Sequence, residues 1–184
     1  EPGAKNKAGL NQDIQLQTPE SQDTRAGATV LHDVSFEVPS GTRTGIVGFT
    51  GSGKSTLVNL IPRLYDVSEG SITVDGIDLR KMPLKTLRAS VAYVTQDAFI
   101  FSKTIRENII FGKEEELLEL PQEELDNKIL SASRTSHLHE DVEAFPDGYD
   151  TIVGERGITL SGGQKQRLAI ARAIITEPKI LILD

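Results

Sequence analysis

Cysteine is absent from this chain of 184 residues, tryptophan is absent too, and methionine occurs once. Without cysteine the chain cannot form a disulfide bond, a thiol nucleophile or a cysteine-ligated metal site. Long apolar runs are also missing, since no run approaches the roughly 18 residues that a membrane-spanning helix needs. No signal-peptide pattern is visible. These absences argue against a disulfide-stabilised domain, a cysteine-based zinc module and a membrane span within this sequence.

The charge balance is acidic, with 27 Asp and Glu against 20 Lys and Arg and a formal net charge of −7. Such a balance argues against nucleic acid as the main partner. Hydrophobic residues make up 38% and charged residues 26%, as in ordinary soluble globular proteins. The length suffices for one domain with its own core and room for two lobes. Because the sequence begins at Glu1 and stops at Asp184 directly after an apolar run, we expect a fragment of a longer protein.

One stretch fits the pattern G-x-x-x-x-G-K-S/T at every fixed position. It consists of Gly48, Phe49, Thr50, Gly51, Ser52, Gly53, Lys54 and Ser55. The preceding Thr44–Val47 predicts a short buried strand, and the following Thr56–Ile61 predicts a helix with an apolar face. Strand, glycine-rich turn and helix are the context expected of a phosphate-binding loop. The alternative is a glycine-rich turn between a strand and a helix that carries a surface lysine.

Each part of this loop suits the chemistry of a nucleotide. The glycines let successive backbone N–H groups point inward and form a nest for anions. The helix that follows adds its positive N-terminal end. Lys54 supplies a compact cation for the β- and γ-phosphates, and the Ser55 hydroxyl can ligate Mg²⁺.

Periodicity and turn residues predict the other elements. Strands are expected at 14–16, 34–38, 71–74, 77–79, 90–94 and 180–183, and helices from Pro83, Thr104, Pro121 and Ser161. Asp75 and Gly76 separate two short strands, which is a hairpin signal. The predicted strand Ile180–Leu183 is apolar throughout and is expected to be fully buried. We predict a linker over residues 1–28 and a domain over 29–184 that has a phosphate-loop core and a helical subdomain at about 97–168.

A second anion site is predicted at Leu160–Gln164. Ser161 followed by Gln164 forms a capping box, and the plain interpretation is a helix start. Gly162 and Gly163 add exposed backbone N–H groups at a positive helix end, which suits a phosphate. Two half-sites on one chain suggest a head-to-tail pair of chains with two-fold symmetry, in which the phosphates on one loop lie under the partner's turn.

Two further side chains are candidates for the metal. Asp184 follows the apolar run, and a strand beside the phosphate-loop strand would bring its carboxylate near Mg²⁺ bound through Ser55. The alternative for Asp184 is a residue that caps a strand end. Gln96 lies between a core strand and the helical part, where its amide could touch the metal or its water, although a lone glutamine is usually a surface residue.

These motifs together resemble the nucleotide-binding domain of an ABC transporter of the exporter type. Walker A is Gly48–Ser55, the Q-loop is Val94–Asp97, the signature is Leu160–Gln164 and Walker B is Ile180–Asp184. Thr151–Gly157 and Thr104–Gly112 are also similar to exporter segments. The resemblance covers roughly 30–184.

The resemblance implies an α/β fold: a P-loop NTPase, RecA-like core with an antiparallel β subdomain and a helical subdomain, its C-terminal part missing. It implies ATP and Mg²⁺ as cofactors and Lys54, Gln96 and Asp184 as catalytic residues. The metal ligands would be Ser55, Gln96 and Asp184. The nucleotide would be held by Gly48, Phe49, Thr50, Gly51, Ser52, Gly53, Lys54, Ser55, Thr56, Ser161, Gly162, Gly163 and Gln164.

The implied partners are a second nucleotide-binding domain and transmembrane domains absent from this sequence, at the cytoplasmic face of a membrane. ATP-driven closure would be transmitted to the membrane domains, with Gln96 and the segment around Glu155 near that interface. The implied function is an ATP-hydrolysing motor that drives transport of a substrate, with no nucleic acid involved.

The sequence departs from the family pattern in three places. The region Glu20–Arg25 holds no aromatic residue to stack on adenine. The glutamate that usually follows the Walker B aspartate would be residue 185, and the later switch histidine is also absent. His32, His137 and His139 lie elsewhere, and we expect the last two to be surface residues. We therefore expect slow ATP hydrolysis by this chain alone.

Three other functions compete with the transport motor. The chain could be a nucleotide-binding or interaction module without turnover. It could be a non-transport ABC ATPase that acts on DNA, which its net charge disfavours. A GTPase is disfavoured because Asn127–Leu130 lacks the aspartate of the guanine-reading motif. The chain alone is expected to be marginally stable or prone to associate, because its last strand needs covering neighbours.

Overall fold

A computed structural model describes residues 12–15, 30–155 and 157–184. The chain divides into two compact units, one ending at Leu79 and the other beginning at Arg80. Most of the predicted linker, the region Glu20–Arg25 and the end of the strand predicted at 14–16 lie outside the described residues.

The first unit is built from two strand pairs and one helix. Its elements are β1 (Gln12–Gln15), β2 (Thr44–Val47), α1 (Lys54–Leu60), β3 (Thr73–Val74) and β4 (Ile77–Asp78). Strand β1 pairs with β2 in parallel, and Ile14 lies opposite Ile46. Ile14 and Leu57 form a small buried cluster, with Leu31 and Ile46 packed against it. This cluster supports the strand from which the phosphate loop leaves.

The predicted hairpin is present, with strands of only two residues each. Strands β3 and β4 pair antiparallel, with Thr73 opposite Asp78. Asp75 and Gly76 both have positive φ, at 50° and 77°. Two left-handed central residues are what a tight hairpin turn of the favoured hand requires. Among the described residues, β3 and β4 are the only named strands that pair antiparallel.

The strand predicted over Val34, Phe36 and Val38 is wrong. The structure has no strand in this segment, and the three side chains are 37%, 40% and 48% exposed. An alternating pattern predicts which faces a strand would show, but a strand also needs a hydrogen-bonded neighbour. Within the described ranges, no strand pairs with this segment.

The second unit is mainly helical. Its helices are α2 (Leu84–Ser90), α3 (Ile105–Ile110), α4 (Glu114–Leu117), α5 (Gln122–Thr135), α6 (His139–Glu143) and α7 (Gly162–Ile174). Its strands are β5 (Val91–Val94) and β6 (Ile180–Leu183), paired in parallel. Helices α2, α3, α5 and α7 and the two strands confirm the elements predicted there. No helix of the part that the structure describes is long and apolar enough to cross a membrane.

The core of this unit lies where α3, α5 and α7 meet. Ile105, Ile109, Ile129, Leu168 and Ala171 are at most 1% exposed and belong to one apolar cluster. A second cluster joins α7 to β5 through small residues, which are Ala92, Val94, Ala169 and Ala173. Helix α7 is therefore packed on two sides over residues 168–173.

Strand β6 differs from expectation in two ways. Ile182 is buried at 7% exposure, but Leu181 and Leu183 are 42% and 60% exposed, so the fully buried strand is wrong. Its hydrogen-bonded neighbour is β5, whereas the phosphate-loop strand β2 pairs with β1. An apolar run shows that a strand can be buried on both faces, but the covering elements and the pairing are set by tertiary structure.

Candidate nucleotide-binding site

The predicted phosphate loop connects β2 to α1 through a sharply curled backbone. Gly51 and Gly53 have φ values of 84° and 92°. The Ser52 N–H donates to the Phe49 carbonyl at 3.1 Å, which closes a turn inside the loop. The Leu57 N–H donates to the Gly53 carbonyl at 2.8 Å, so the helix ladder begins directly where the curl ends. The structure thus has the predicted sequence of strand, curled loop and helix.

Gly53 is favoured chiefly by its backbone conformation, and it also lies close to two side chains. Its φ of 92° lies in the left-handed region that side chains disfavour. A Cβ there would also lie 2.8 Å from Leu31 Cδ2 and 3.3 Å from Val30 Cγ1. Gly51 has open space around it, so only its φ requires glycine. The loop therefore closes tightly against its own unit at the helix start.

Lys54 turns its side chain back into the loop. The Nζ donates to the Gly48 carbonyl at 2.9 Å and to the Phe49 carbonyl at 2.8 Å. An ammonium group has three N–H bonds, so it can bind an anion while it keeps both of these contacts. The loop thereby fixes a positive charge beside the N-terminus of α1, which is itself favourable to anions.

The other loop side chains divide between an inner and an outer set. Ser52 is 1% exposed, and its hydroxyl has no hydrogen-bond partner among the residues that the structure describes. A buried hydroxyl without a partner costs about 1–3 kcal/mol, and an anion oxygen would satisfy it. Phe49 is 78% exposed, Thr50 and Ser55 are also exposed, and Thr56 is half-buried. The curl, the cation and the buried hydroxyl together fit a phosphate group.

The signature turn has the capping box that its sequence predicts. Ser161 is the N-cap of α7, and its hydroxyl accepts from the Gln164 N–H at 3.3 Å. The Gln164 Oε1 accepts from the Ser161 N–H at 2.9 Å. Gly162 and Gly163 are exposed in the first turn of this 13-residue helix. The structure thus has the expected open, positive helix end.

Asp184 follows β6 and is hydrogen-bonded to a tyrosine on the neighbouring strand. The Tyr93 hydroxyl donates to Asp184 Oδ2 at 3.0 Å. Burial, the hydrogen bond to Asp184 and the charge of that carboxylate together raise the pKa of Tyr93 to about 12. Gln96 is exposed just beyond the end of β5. The described residues contain no cluster of three or more His, Cys, Asp or Glu side chains that could hold a metal by itself.

A buried polar centre that the sequence did not predict lies behind the apolar loop at 99–101. Asn108 is 0% exposed; its Oδ1 accepts from the Phe101 N–H and its Nδ2 donates to the Phe101 carbonyl, both at 3.0 Å. Arg172 of α7 donates to the Asn108 carbonyl at 2.8 Å, to Asn108 Oδ1 at 3.0 Å and to the Phe99 carbonyl at 3.0 Å. Burial lowers the pKa of Arg172. The loop after Gln96 is thus hydrogen-bonded to α7.

Aromatic rings complete this centre. The guanidinium of Arg172 lies 5.3 Å from the ring of Phe101 and 5.8 Å from that of Phe111, and the two rings stack on each other. The sequence shows only an asparagine in a segment of mixed polarity, Ile105–Ile110, and an arginine between two alanines of α7. Neither pattern identifies a partner 64 residues away.

The exporter-like segment around Glu155 packs on the same loop. The Val153 N–H donates to the Lys103 carbonyl at 3.0 Å, and the Ile105 N–H donates to the Thr151 carbonyl at 3.0 Å. Gly154 has a φ of 92°, and a Cβ there would lie 3.2 Å from Ser102 Cα. Glu155 itself is exposed. Backbone hydrogen bonds therefore join the segment after Gln96 to the segment before the signature.

The expectation for the two histidines was half right. The His137 side chain is 82% exposed, as expected of a surface residue. The His139 side chain is only 20% exposed, and its Nδ1 forms a hydrogen bond with the Tyr149 hydroxyl at 3.0 Å. A histidine at the start of a short helix cannot be assigned to surface or interior from its neighbours alone, because Tyr149 comes from a later turn.

Known proteins match this chain over most of its length. The family model described as ABC transporter matches residues 31–184. A putative multidrug export ATP-binding/permease protein of Bacillus subtilis (strain 168), YgaD, is 46% identical over 93% of this chain and 28% of its own length. An ATP-dependent lipid A-core flippase of Legionella pneumophila (strain Lens) is 42% identical over 87% of this chain and 26% of the flippase.

A solved structure agrees with these matches. The structure of a bacterial Atm1-family ABC exporter with ATP bound superposes with a TM-score of 0.75 at 39% identity, over 91% of this chain and 27% of the exporter chain. The chain thus spans about a quarter of the length of these relatives. The family-model match over residues 31–184 includes the curled phosphate loop, the capped signature turn and Asp184. The chain therefore belongs to the ABC transporter family, as a nucleotide-binding domain of the exporter type.

Proposed function

We propose that this chain binds ATP with Mg²⁺ and serves as the motor domain of an ABC exporter, which couples ATP hydrolysis to transport across a membrane. The observation that carries the proposal is the position of Lys54, whose ammonium lies between the Gly48 and Phe49 carbonyls at the start of α1. A fixed cation, a positive helix end and a curled backbone are the parts that hold β- and γ-phosphates.

Each loop residue has a distinct part in phosphate binding. Lys54 uses its remaining N–H bond for a phosphate oxygen, and the N–H groups from Gly51 to Thr56 surround the anion. The buried Ser52 hydroxyl gains an acceptor. Because this loop is already curled, little backbone entropy is lost when the nucleotide binds.

The metal site is proposed from the chemistry of the side chains. The Ser55 hydroxyl and the Asp184 carboxylate are hard oxygen ligands of the kind that Mg²⁺ prefers, and the Gln96 amide oxygen is a further ligand or a ligand of its water. Mg²⁺, when bound, neutralises charge on the phosphate oxygens. Asp184 already accepts from the Tyr93 hydroxyl through Oδ2. That bond holds the carboxylate in one orientation, so Tyr93 is a positioning residue for the proposed ligand.

A second copy of such a domain would complete the nucleotide site. The signature turn presents the Gly162 and Gly163 backbone at a helix end, which is half of an anion site. We propose a head-to-tail pair, in which Ser161, Gly162, Gly163 and Gln164 of one domain close over the phosphates of the other. The relatives described as export and permease proteins support transmembrane domains as the further partners, and we propose the cytoplasmic face of the membrane as the location.

A thermal melt with and without Mg-ATP tests the proposal. A ligand that binds only the folded state at a hundredfold excess over its Kd stabilises it by about 2.7 kcal/mol, so the midpoint should rise. Lys54→Ala should lose that rise, whereas Lys85→Ala, which removes an exposed lysine of α2, should keep it. Equal midpoints with and without nucleotide in the unmodified chain would contradict the proposal.

A further inference from the structure

The short helix α6 contacts the first two turns of α7 through one carboxylate. Arg167 Nε donates to Asp141 Oδ2 at 2.7 Å, and Arg167 Nη2 lies 2.7 Å from the same oxygen. Gln164 Nε2 donates to the other oxygen, Oδ1, at 3.4 Å. The Asp141 side chain is 20% exposed and that of Arg167 34% exposed. Asp141 thus holds two residues of α7 at once, and one of them belongs to the signature turn.

This contact and the Ser161 N–H favour the same orientation of the Gln164 amide. An ionised carboxylate can only accept hydrogen bonds, so it selects the NH₂ end of the amide. The Oε1 end is then directed to the Ser161 N–H, from which it accepts at 2.9 Å. With the amide reversed, an NH₂ group would face the Ser161 N–H and an oxygen would face the carboxylate, and both contacts would be repulsive.

The capping box leaves the Ser161 hydroxyl its own hydrogen to donate. The Ser161 N–H is already used by Gln164, and the Ser161 Oγ already accepts from the Gln164 N–H at 3.3 Å. A hydroxyl has one donor and two acceptor positions, so the O–H hydrogen remains available for an anion. The capping box therefore presents Ser161 as a hydrogen-bond donor.

Arg167 also contacts the signature turn, at Gly163. A Cβ on Gly163 would lie 3.3 Å from Arg167 Nη1, so the guanidinium lies directly against the glycine backbone. Asp141 fixes that guanidinium, because its oxygen binds both Nε and Nη2. The backbone of the turn is thereby supported by a charged pair that connects it to α6.

We propose that Asp141 is a positioning residue for the signature turn: it fixes Gln164 and Arg167 so that Ser161 and the backbone at Gly162 and Gly163 are preorganised for the phosphates of a partner domain. This inference rests on the proposed function, since the turn binds phosphate only in a pair of domains. An ordinary ion pair between two helices would affect folding alone. Asp141 should instead affect the closing of the pair over ATP.

The test compares two steps in the full-length transporter. The Kd of ATP, measured with Mg²⁺ chelated, reports on binding to the phosphate loop of one domain. The KM, which is the ATP concentration at half-maximal hydrolysis, reports in addition on closure of the two domains over the nucleotide. Asp141→Ala and the isosteric Asp141→Asn are compared with Glu140→Ala, which removes an exposed carboxylate of the same helix. We expect the Asp141 variants to raise KM about tenfold, the effect of about 1.4 kcal/mol on an equilibrium, with the Kd changed less than about twofold.

Three outcomes are possible, and each decides between explanations. A raised KM with an unchanged Kd in both Asp141 variants, and neither change in Glu140→Ala, supports the positioning role. Unchanged KM in the Asp141 variants, or KM and Kd raised together, overturns it in favour of a purely structural ion pair. If Lys54→Ala binds ATP as well as the unmodified protein does, the proposed function itself fails, and that result is distinct from either outcome for Asp141.

Discussion

Some glycines in this structure cannot be replaced without strain, because a Cβ atom would overlap a neighbouring atom. Gly157 is the sharpest case, since a Cβ there would lie 2.1 Å from the Ile152 carbonyl oxygen. That carbonyl also accepts from the Ile158 N–H at 2.9 Å. In the segment before the signature, the backbone at Gly157 thus lies too close to the Ile152 carbonyl to leave room for a side chain.

Replacing Gly157 with alanine should destabilise the second unit. The new methyl group must displace the Ile152 backbone, and overpacking of this kind costs about 1–3 kcal/mol. Gly162→Ala is the matched control, because nothing lies within 4 Å of its Cβ position. Thermal melts without nucleotide should show a lower midpoint for Gly157→Ala and little change for Gly162→Ala. Equal midpoints for both variants would show that the segment adapts freely.

The pair of Tyr93 and Asp184 predicts a dependence of stability on pH. The pKa of Tyr93 is raised from 10.0 to about 12 in the folded chain, so the protonated hydroxyl is favoured by folding. Its contribution is fully present below the unfolded pKa of 10.0 and is lost as the pH rises towards about 12. Spectroscopic titration of tyrosinate should show a late component that is diminished in Tyr93→Phe.

Tyr65→Phe is the control for that titration. Tyr65→Phe removes a tyrosine that is 66% exposed, and the late component is compared between the two variants. Tyr149, whose pKa burial also raises, contributes to the late component in every variant. A Tyr93→Phe titration curve that keeps the whole late component would contradict the assignment.

At the scale of elements, the loop at 99–101, α3 and α7 act as one unit through Asn108. Asn108→Ala would leave the Phe101 N–H without its acceptor and would remove one acceptor from the half-buried guanidinium of Arg172. Leaving such groups unsatisfied costs about 1–3 kcal/mol for each, more if charged. Asn127→Ala, at an exposed position of α5, is the control.

We expect Asn108→Ala to lower the thermal midpoint and to speed amide hydrogen exchange at Phe101 and in α3. Asn127→Ala should do neither. If exchange at Phe101 stayed as slow as in the unmodified chain, Asn108 would not be what holds the loop.

The sequence predicted the elements whose signals are local. The capping boxes at Thr104 and Ser161 lie within four residues each, and the structure has both bonds of each box. The Asp75–Gly76 turn is equally local. The segment Val34–Val38 carried a strand pattern without a pairing partner in the described structure, and no local signal reveals whether a partner exists.

The candidate site divides in the same way. The phosphate loop and the signature turn were predictable because each is a short continuous motif. Tyr93 and Asp184 are 91 residues apart, and Asp141 and Arg167 are 26 apart, so their pairing depends on how helices and strands come together. Such contacts leave no periodic pattern in the sequence.

At the scale of the whole chain, exposed apolar side chains on β6 predict self-association. Leu181 and Leu183 are 42% and 60% exposed, on a strand that pairs only with β5 in the described structure. An apolar strand with an open edge is a template for another chain. We expect the chain to associate in a concentration-dependent manner, and Leu183→Lys to reduce the association measured by light scattering.

Leu118→Lys is the matched control for that experiment, because Leu118 is 62% exposed but follows a helix instead of lying on a strand. It should reduce association less than Leu183→Lys does. A chain that stays monomeric at every concentration and melts sharply would contradict the prediction.

Helix α7 connects the signature turn to the loop that follows Gln96. Its first turn carries the signature, and Arg172, ten residues after Gly162, holds the loop that follows Gln96. At 1.5 Å per residue, these points are about 15 Å apart on one rod. Because the loop and the signature turn are attached to the same helix, they move together when α7 moves as a rigid body.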